Sequence, residues 1–248
     1  MGTLTVAGIG PGGAEGMTAA CRAALEQADI ITGYDAYIEL VRPLYPHKEY
    51  LSTPMKSEIE RCRESLRLAS GGGHGKSGKK ICLISSGDSG VYGMASPVLE
   101  LAADFPDVTI ELAAGVTAAL SGGALLGAPL ANDFAVLSLS DLLTPWETIE
   151  KRLRAAAAGD FSICLYNPGS SGRKDSLRRA VGILLETLPC DRVCGITRCI
   201  GREGESAALT TLGELERLQP DMNMTVFIGN SQTKPLAGKM VTPRGYKK

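Results

Sequence analysis

Two histidines, His47 and His74, one tryptophan and only 5% aromatic residues occur in this chain of 248 residues. Histidine is the commonest metal ligand and the usual proton carrier near neutral pH, so its scarcity narrows the chemistry. The sequence holds no H-E-x-x-H, no paired C-x-x-C, no G-x-x-x-x-G-K-[ST] and no G-x-S-x-G. A structural zinc site, a zinc hydrolase and a P-loop ATPase are therefore poor readings. The segment GHGKSG, Gly73 to Gly78, lacks the spacing of a phosphate loop and precedes a strand instead of following one. No apolar run reaches the roughly 18 residues that a membrane span needs, so no membrane partner is expected. Lys and Arg number 26 against 27 Asp and Glu, a formal net charge of -1, which leaves no single-sign field for a nucleic-acid backbone. The seven cysteines (Cys21, Cys62, Cys82, Cys164, Cys190, Cys194 and Cys199) are scattered, several of them in apolar runs where a free thiol packs as a small hydrophobe. With no leader legible, reduced thiols and a cytoplasmic location are the expectation.

What is present is a globular composition, 44% hydrophobic and 21% charged, with 30 glycines. The length suits one large or two small domains. TLTVAGIGPGG reads as a strand entering a glycine turn, GMTAACRAALEQAD as a helix and IITG as a second strand. MKSEIERCRESLRLA follows as a polar helix, and Ser70 to Lys80 as a mobile surface loop. KICLISSGDSG is a strand ending in another glycine turn, MASPVLELAAD a helix, VTIEL a strand and GVTAALSGGALLG a small-residue helix. Repetition of strand, loop and helix predicts α/β architecture with a mostly parallel first sheet. A boundary near Gly122 to Gly127 gives lobes of residues 1–122 and 123–248. In the second, FAVLSLS, FSICLYN, RVCGITR, SAALTT and MTVFIGN read as strands. Helices are expected over 145–157, 174–188 and 212–218. The short spacing of the last two strands suggests a hairpin, hence a mixed sheet. Two α/β lobes with a cleft between them are the expected fold.

Three glycine segments are candidate ligand loops. Gly8, Gly10, Pro11, Gly12 and Gly13 follow the first strand, but the spacing is not G-x-G-x-x-G and Pro11 lacks a backbone donor, so support for a pyrophosphate cradle is weak. Asp88 in SSGDSGVYGM lies at a strand end, where open α/β sheets bind ligands. Its carboxylate could accept hydrogen bonds from ligand hydroxyls or an ammonium group, or it could cap a helix starting near Tyr92. In AAGVTAALSGGA, Thr117 offers a cap or a ligand hydroxyl. Ala118, Ala119 and Ser121 there permit close approach, by ligand or by packing.

In the second lobe, SLSDLLTPWE clusters Ser138, Ser140 and Asp141 at a strand end, where they could contact substrate or simply terminate the strand, with Thr144 and Pro145 placed as N-cap and first turn of a helix. LYNPGSSGRKDS repeats the strand-turn-helix form. Arg173 and Lys174 at that helix start oppose its dipole, which lends slight support to an anionic ligand, although plain surface charge stays the commoner reading. Arg198 and Arg202 add to a set suited to a substrate with several carboxylates, although each arginine alone reads first as a surface charge.

Taken in order, VAGIGPGG, SSGDSGVYGMAS, AAGVTAAL, GAPLANDFAVLSLSDLLTPW, YNPGSSGR and MTVFIGNSQT resemble the tetrapyrrole methylases over nearly the whole chain. DFAVLSLSDLLTPWE and YNPGSSGR are most similar to the ring-contracting branch, which methylates carbon 17 of precorrin-3B. The first glycine motif is also shared with diphthine synthase, whose protein substrate would not call for SLSDLLTPWE. The resemblance implies a homodimer of two-lobed α/β chains that bind S-adenosylmethionine and a modified tetrapyrrole in the cleft, with S-adenosylhomocysteine as product. It implies donor contacts from Pro11, Asp88, Val91, Tyr92, Thr117, Ala118, Tyr166 and Asn167, with Ile196 and Thr225 closing the adenine side. Gly8, Gly10 and Gly12 shape the substrate trough. Two departures stand out. Many members have Pro where this chain has Ser89, and the branch usually has His where this chain has Asn132, which cannot act as a base near neutral pH.

The implied chemistry is alignment of a ring carbon with a sulfonium methyl group. Contraction then follows, extruding carbon 20 as acetyl from a hydroxylated precursor. Asp88, Asp133, Asp141 and Glu147 are the candidate carboxylates. Asp133, Asp141 and Ser140 are expected near substrate, with Asp88 assigned to the donor. The aerobic, metal-free precorrin-3B is favoured because the chain lacks an added metal-cluster tail. Cobalt-precorrin-3 of the anaerobic route is the alternative, and its cobalt would belong to the substrate, so no protein metal site is expected. Handover of product to other cobalamin-pathway enzymes is a further implied partnership. A non-enzymatic nucleotide sensor is the competing class.

Overall fold

The computed structural model describes residues 2–71, 78–170 and 172–246. Most of the expected Ser70–Lys80 loop, with His74, lies outside these residues. The chain divides into two compact units, Met1–Thr117 and Ala118–Lys248. The break precedes the small-residue helix, where the sequence reading placed it after Gly122.

The first unit contains β1 (Gly2–Gly8), α1 (Ala19–Gln27), β2 (Ile30–Tyr34), α2 (Asp35–Val41), β3 (Glu49–Thr53), α3 (Glu58–Ala69), β4 (Lys80–Ser85), α4 (Ala95–Leu101) and β5 (Val108–Ala113). Its sheet runs β3-β2-β4-β1-β5 and every pairing is parallel. Both faces are covered, which explains the near-continuous apolar strands. Ala7, Ile9, Cys82 and Ile84 pack with Cys21, Leu25, Ile38 and Val41 of α1 and α2. The alternate residues Leu4, Val6, Ile81 and Leu83 pack with Cys62, Leu66 and Val98 of α3 and α4. Neighbouring strands β1 and β4 therefore send their following helices to opposite faces. In parallel sheets wound this way, ligands usually bind outside the C-terminal ends of such a strand pair.

The second unit contains α5 (Ala118–Leu126), β6 (Gly127–Ala128), β7 (Phe134–Ser138), α6 (Trp146–Ala158), β8 (Ser162–Tyr166), α7 (Ser176–Leu185), β9 (Val193–Arg198), β10 (Ser206–Thr211), α8 (Leu212–Leu215), β11 (Met224–Ile228), β12 (Lys234–Leu236) and β13 (Lys239–Val241). Its main sheet runs β10-β9-β11-β8-β7. The β7–β8 pair is parallel and the remaining pairs are antiparallel, so the sheet is mixed as expected. The hairpin is a correction: β10 and β11 do not pair, and each flanks β9. The cause is α8, which follows β10 directly through a Thr211–Glu214 capping box. Leu212 and Leu215 bury against the α6–α7 face and carry the chain across before β11 returns on the far side of β9.

Helix starts also differ from expectation. Pro145 occupies the N-cap position, its carbonyl accepting from the amides of Thr148 and Ile149, and no Thr144 side-chain cap forms. Helix α3 begins at Glu58 because Lys56 holds a left-handed φ of 69° that a helix cannot continue. Arg173 and Lys174 precede α7, which starts at Ser176, so the dipole argument applied to them fails.

Candidate active site

At the C-terminal edge of the first sheet, the loops after β1, β4 and β5 are joined by backbone contacts that only glycine permits. Gly10 and Gly87 exchange hydrogen bonds, 3.0 Å from the Gly10 amide and 2.8 Å from the Gly87 amide. A Cβ on Gly115 would lie 2.0 Å from the Gly87 carbonyl oxygen and 2.6 Å from that of Gly8. A Cβ on Gly8 would lie 2.5 Å from the same Gly87 oxygen. Gly10 takes a φ of +72°, open to glycine at no steric cost.

The G-x-G-P-G-G turn does not open a helix. It enters a short 3-10 turn, Ala14–Gly16, and α1 begins only at Ala19 under its own Thr18 cap. The turn therefore does not deliver the chain into a helix N-terminus as a pyrophosphate cradle does, which counts against that reading. Thr18 also donates to the Ala114 carbonyl at 2.7 Å, tying α1 to the loop after β5.

Asp88 caps no helix, since α4 starts at Ala95 behind Met94 and Tyr92 adopts a left-handed φ of 55°. Its carboxylate accepts the amides of Gly90 and Gly115, each at 2.8 Å. It thus fastens the β4 loop to the β5 loop and keeps two acceptor positions in reserve. Ser89, where many family members have Pro, is buried and donates to the Val6 carbonyl at 3.3 Å. Pro11 packs on Gly16, whose Cβ position lies 2.8 Å from the proline ring. Val91 and Tyr92 complete this edge, Tyr92 being 57% exposed, and Thr117 ends the unit.

Within the second unit, another edge gathers the remaining candidates. Ser138 pairs with Tyr166 at the ends of β7 and β8, and the β8–β11 register continues the row to Thr225, beside Thr197 and Ile196 of β9. Tyr166 accepts the Ala119 amide on its hydroxyl at 2.6 Å, which brings the start of α5, with Ala118, to the same edge. Asn167, at a left-handed φ of 52°, donates from Nδ2 to Ser138 Oγ at 2.9 Å. The Ser140 amide donates to that same oxygen at 3.2 Å. With both lone pairs of Ser138 Oγ occupied, its proton is left to act as a donor, a role the sequence pattern did not reveal.

Asp141 lies 4.0 Å from Arg173 Nε, and Arg173 Nη1 donates to the Leu139 carbonyl at 3.3 Å. Arg173 is thus a brace for the 139–141 segment as well as a charge beside it. Leu142 and Leu143, next in sequence, are 71% and 98% exposed. Trp146 is covered by the Arg179 guanidinium, 4.0 Å from its ring centre. Arg198 pairs with Asp221 at 2.6 Å.

Asp133 is elsewhere. It precedes β7, and its carbonyl accepts the amide of Ser162 at the start of β8, so it sits at the opposite edge from Ser138, Ser140 and Asp141. Five strand residues separate the edges by about 16 Å, so Asp133 and Asp141, both expected near substrate, do not lie at one edge and cannot act on one atom. Neighbouring Asn132 donates to the Pro243 carbonyl at 3.2 Å, a structural tie to the C-terminal segment. In α5, packing accounts for Gly122, where a Cβ would meet both Phe227 and Thr197 at 2.9 Å. Among the described residues no cluster of His, Cys, Asp and Glu is arranged to hold a metal ion, and no helix is long and apolar enough to cross a membrane.

These two edges sit in units whose family is shown by comparison. The model of the tetrapyrrole (corrin/porphyrin) methylases matches residues 3–216, and the chain belongs to that family. The probable cobalt-factor III C(17)-methyltransferase of Salmonella typhimurium is 45% identical over 244 residues, 98% of this chain and 99% of that protein. The precorrin-3B C(17)-methyltransferase of a Sinorhizobium species is 38% identical over 237 residues, covering 94% and 91%. The crystal structure of the methyltransferase CobJ superposes with a TM-score of 0.89 at 34% identity, covering 98% of this chain and 100% of that one.

Proposed function

We propose that this chain transfers a methyl group from S-adenosylmethionine to carbon 17 of a precorrin-type tetrapyrrole and contracts the ring. The observation that carries this reading is near full-length identity to relatives named as C(17)-methyltransferases, at 45% and 38%. The donor supplies a methyl group on a sulfonium, which leaves without acid catalysis. The protein's work is therefore alignment.

In the first unit we assign Pro11, Asp88, Val91, Tyr92 and Thr117 to donor binding. Asp88 is held rigidly by Gly90 and Gly115 and still has acceptor positions for a hydroxyl or ammonium group. In the second unit, Ala118, Tyr166, Asn167, Ile196 and Thr225 share one sheet edge and take the same role. Ser138, Ser140 and Asp141 are assigned to the tetrapyrrole, Ser138 as a hydrogen-bond donor. The exposed Leu142 and Leu143 offer apolar cover for a macrocycle. A homodimer, a cytoplasmic location and product handover to other enzymes of the pathway complete the proposal.

The metal content of the ring separates two readings. Metal-free precorrin-3B is the substrate favoured from sequence. The cobalt-containing form is supported by the names of relatives at 45% identity in Salmonella typhimurium and 41% in Methanocaldococcus jannaschii, both probable cobalt-factor III C(17)-methyltransferases. Anaerobic incubation with S-adenosylmethionine and each tetrapyrrole, read by mass and absorption spectra, decides between them. A one-methyl gain is expected with at least one. No gain with either contradicts the proposed function, and Asn132→His would then be the first variant to examine.

A further inference from the structure

The ligand edge of the first unit holds a buried charge that neither the donor assignment nor the core requires. Arg61 of α3 is only 5% exposed. Its Nε donates to Thr53 Oγ1 at 2.7 Å and its Nη2 to the Pro54 carbonyl at 2.9 Å, while Nη1 lies 3.8 Å from Met94 Sδ. The Tyr34 ring centre is 6.0 Å from the guanidinium carbon. Every one of these partners is neutral. Among the described residues no carboxylate forms an ion pair with Arg61. One turn away on α3, Glu64 is taken by Arg67.

A guanidinium cannot shed its proton, so burial is not relieved by neutralisation as it is for lysine. Stripping water from a charge is strongly unfavourable unless an opposite charge is returned. Fastening Thr53 and Pro54 to α3 requires two ordinary donors, which a glutamine amide could supply. The permanent charge exceeds that structural need. Two of its five N–H groups are satisfied by oxygen and a third only weakly by sulfur, which leaves two for another acceptor.

The position supplies the rest of the argument. Tyr34 ends β2, Thr53 ends β3, and Met94 leads from the β4 loop into α4. All three lie at the C-terminal edge of the parallel sheet, the edge that also carries Asp88.

We propose that Arg61 is a carboxylate-binding residue, its remaining N–H groups gripping an anionic oxygen of a ligand bound at this edge. The inference rests on the function proposed above, in which both ligands are carboxylates: the tetrapyrrole through its acidic side chains, the donor through its amino-acid end. Which of the two supplies the oxygen is decided by experiment.

Wild type, Arg61→Gln and Arg61→Lys are titrated with two stable probes, S-adenosylhomocysteine and uroporphyrin III, alongside thermal melts. Loss of roughly 10- to 100-fold in uroporphyrin affinity in Arg61→Gln, with S-adenosylhomocysteine unchanged, identifies the tetrapyrrole carboxylate. The converse pattern identifies the donor carboxylate. Arg61→Lys keeps the charge without the fork and falls between. Unchanged affinity for both probes in a folded Arg61→Gln overturns the proposal. So does an equal weakening of both that tracks a fall in Tm, the mark of a structural clamp. Should Arg61→Gln fail to fold, the side-chain Nε–H resonance of Arg61 in the wild type decides. A shift on adding either probe supports the proposal, and no shift with both overturns it. A wild type that binds neither probe would instead count against the proposed function.

Discussion

Gly115 has no room for even one methyl group, since a Cβ there would lie 2.0 Å from the Gly87 oxygen, a backbone atom that cannot turn aside. Gly115→Ala is expected to destabilise the first unit by more than ~2 kcal/mol, in the range of substitutions that force backbone to move. It should also weaken donor binding, because the Gly115 amide holds Asp88. Thermal melting and titration with S-adenosylhomocysteine check both effects. The carboxylates make a second residue-scale test. Asp141 lies beside Arg173, three residues after Ser138, while Asp133 lies at the other edge of the same sheet. Asp141→Asn is expected to lower kcat on the order of 10²-fold if it moves a proton, with Asp133→Asn close to wild type. Equal effects from the two would remove Asp141 from the site. The sequence offered both as candidate carboxylates for the chemistry the resemblance implies. Only the strand's direction and register tell which end meets the ligand, and a motif does not carry that information.

At the scale of elements, long apolar strands and amphipathic helices were legible because their burial imposes period: β1, β4, α1 and α3 lie close to where the pattern puts them. Strand β3 was not, since it is an edge strand with mostly exposed residues and no apolar run. Helix α2 spans seven residues with only Ile38 and Val41 buried, too little for a period to show. The three-residue strands β12 and β13 fall below any pattern's reach. The misplaced hairpin has a different origin. The helix expected over 212–218 forms as one turn, α8, and with its Thr211–Glu214 capping box it takes the chain away from β10 before β11 begins. That box gives an element-scale prediction. Hydrogen bonds from Thr210 and Thr211 hold the Glu214 carboxyl below the usual glutamate range. Its folded pKa is thus lower than its unfolded one, so its stabilising effect is present above the ordinary glutamate value and is lost as pH falls through the folded value. Thr211→Ala should cost about 1 kcal/mol near neutral pH, with a smaller penalty in acid where the box is already weakened. Denaturant titrations at both pH values test this, and a penalty that does not change with pH would show that Glu214 takes no part.

For the molecule as a whole, the glycine loops, the two-unit α/β plan and the family were all readable, because the motifs fall in one order along nearly the full length. The cysteines follow the same logic of burial. Desolvation pushes the Cys21 and Cys62 thiols up to about 11 and Cys194 up to about 12, with Cys82 and Cys164 raised further. Since the thiolate is the reactive form, these five are expected to resist alkylation in the native chain. Cys190, exposed, and Cys199, partly exposed, should react. Mass spectrometry after brief labelling should find modification confined to these two, and all seven cysteines modified once the chain is unfolded.

The central claim is the position of methylation, and labelled donor tests it directly. Turnover of the tetrapyrrole that proves to be accepted, using S-adenosylmethionine carrying a ¹³C methyl group, is followed by NMR of the purified product. The account predicts one labelled methyl group attached at carbon 17 of a contracted ring. A label at any other ring carbon, or a methylated product whose ring remains uncontracted, would contradict it.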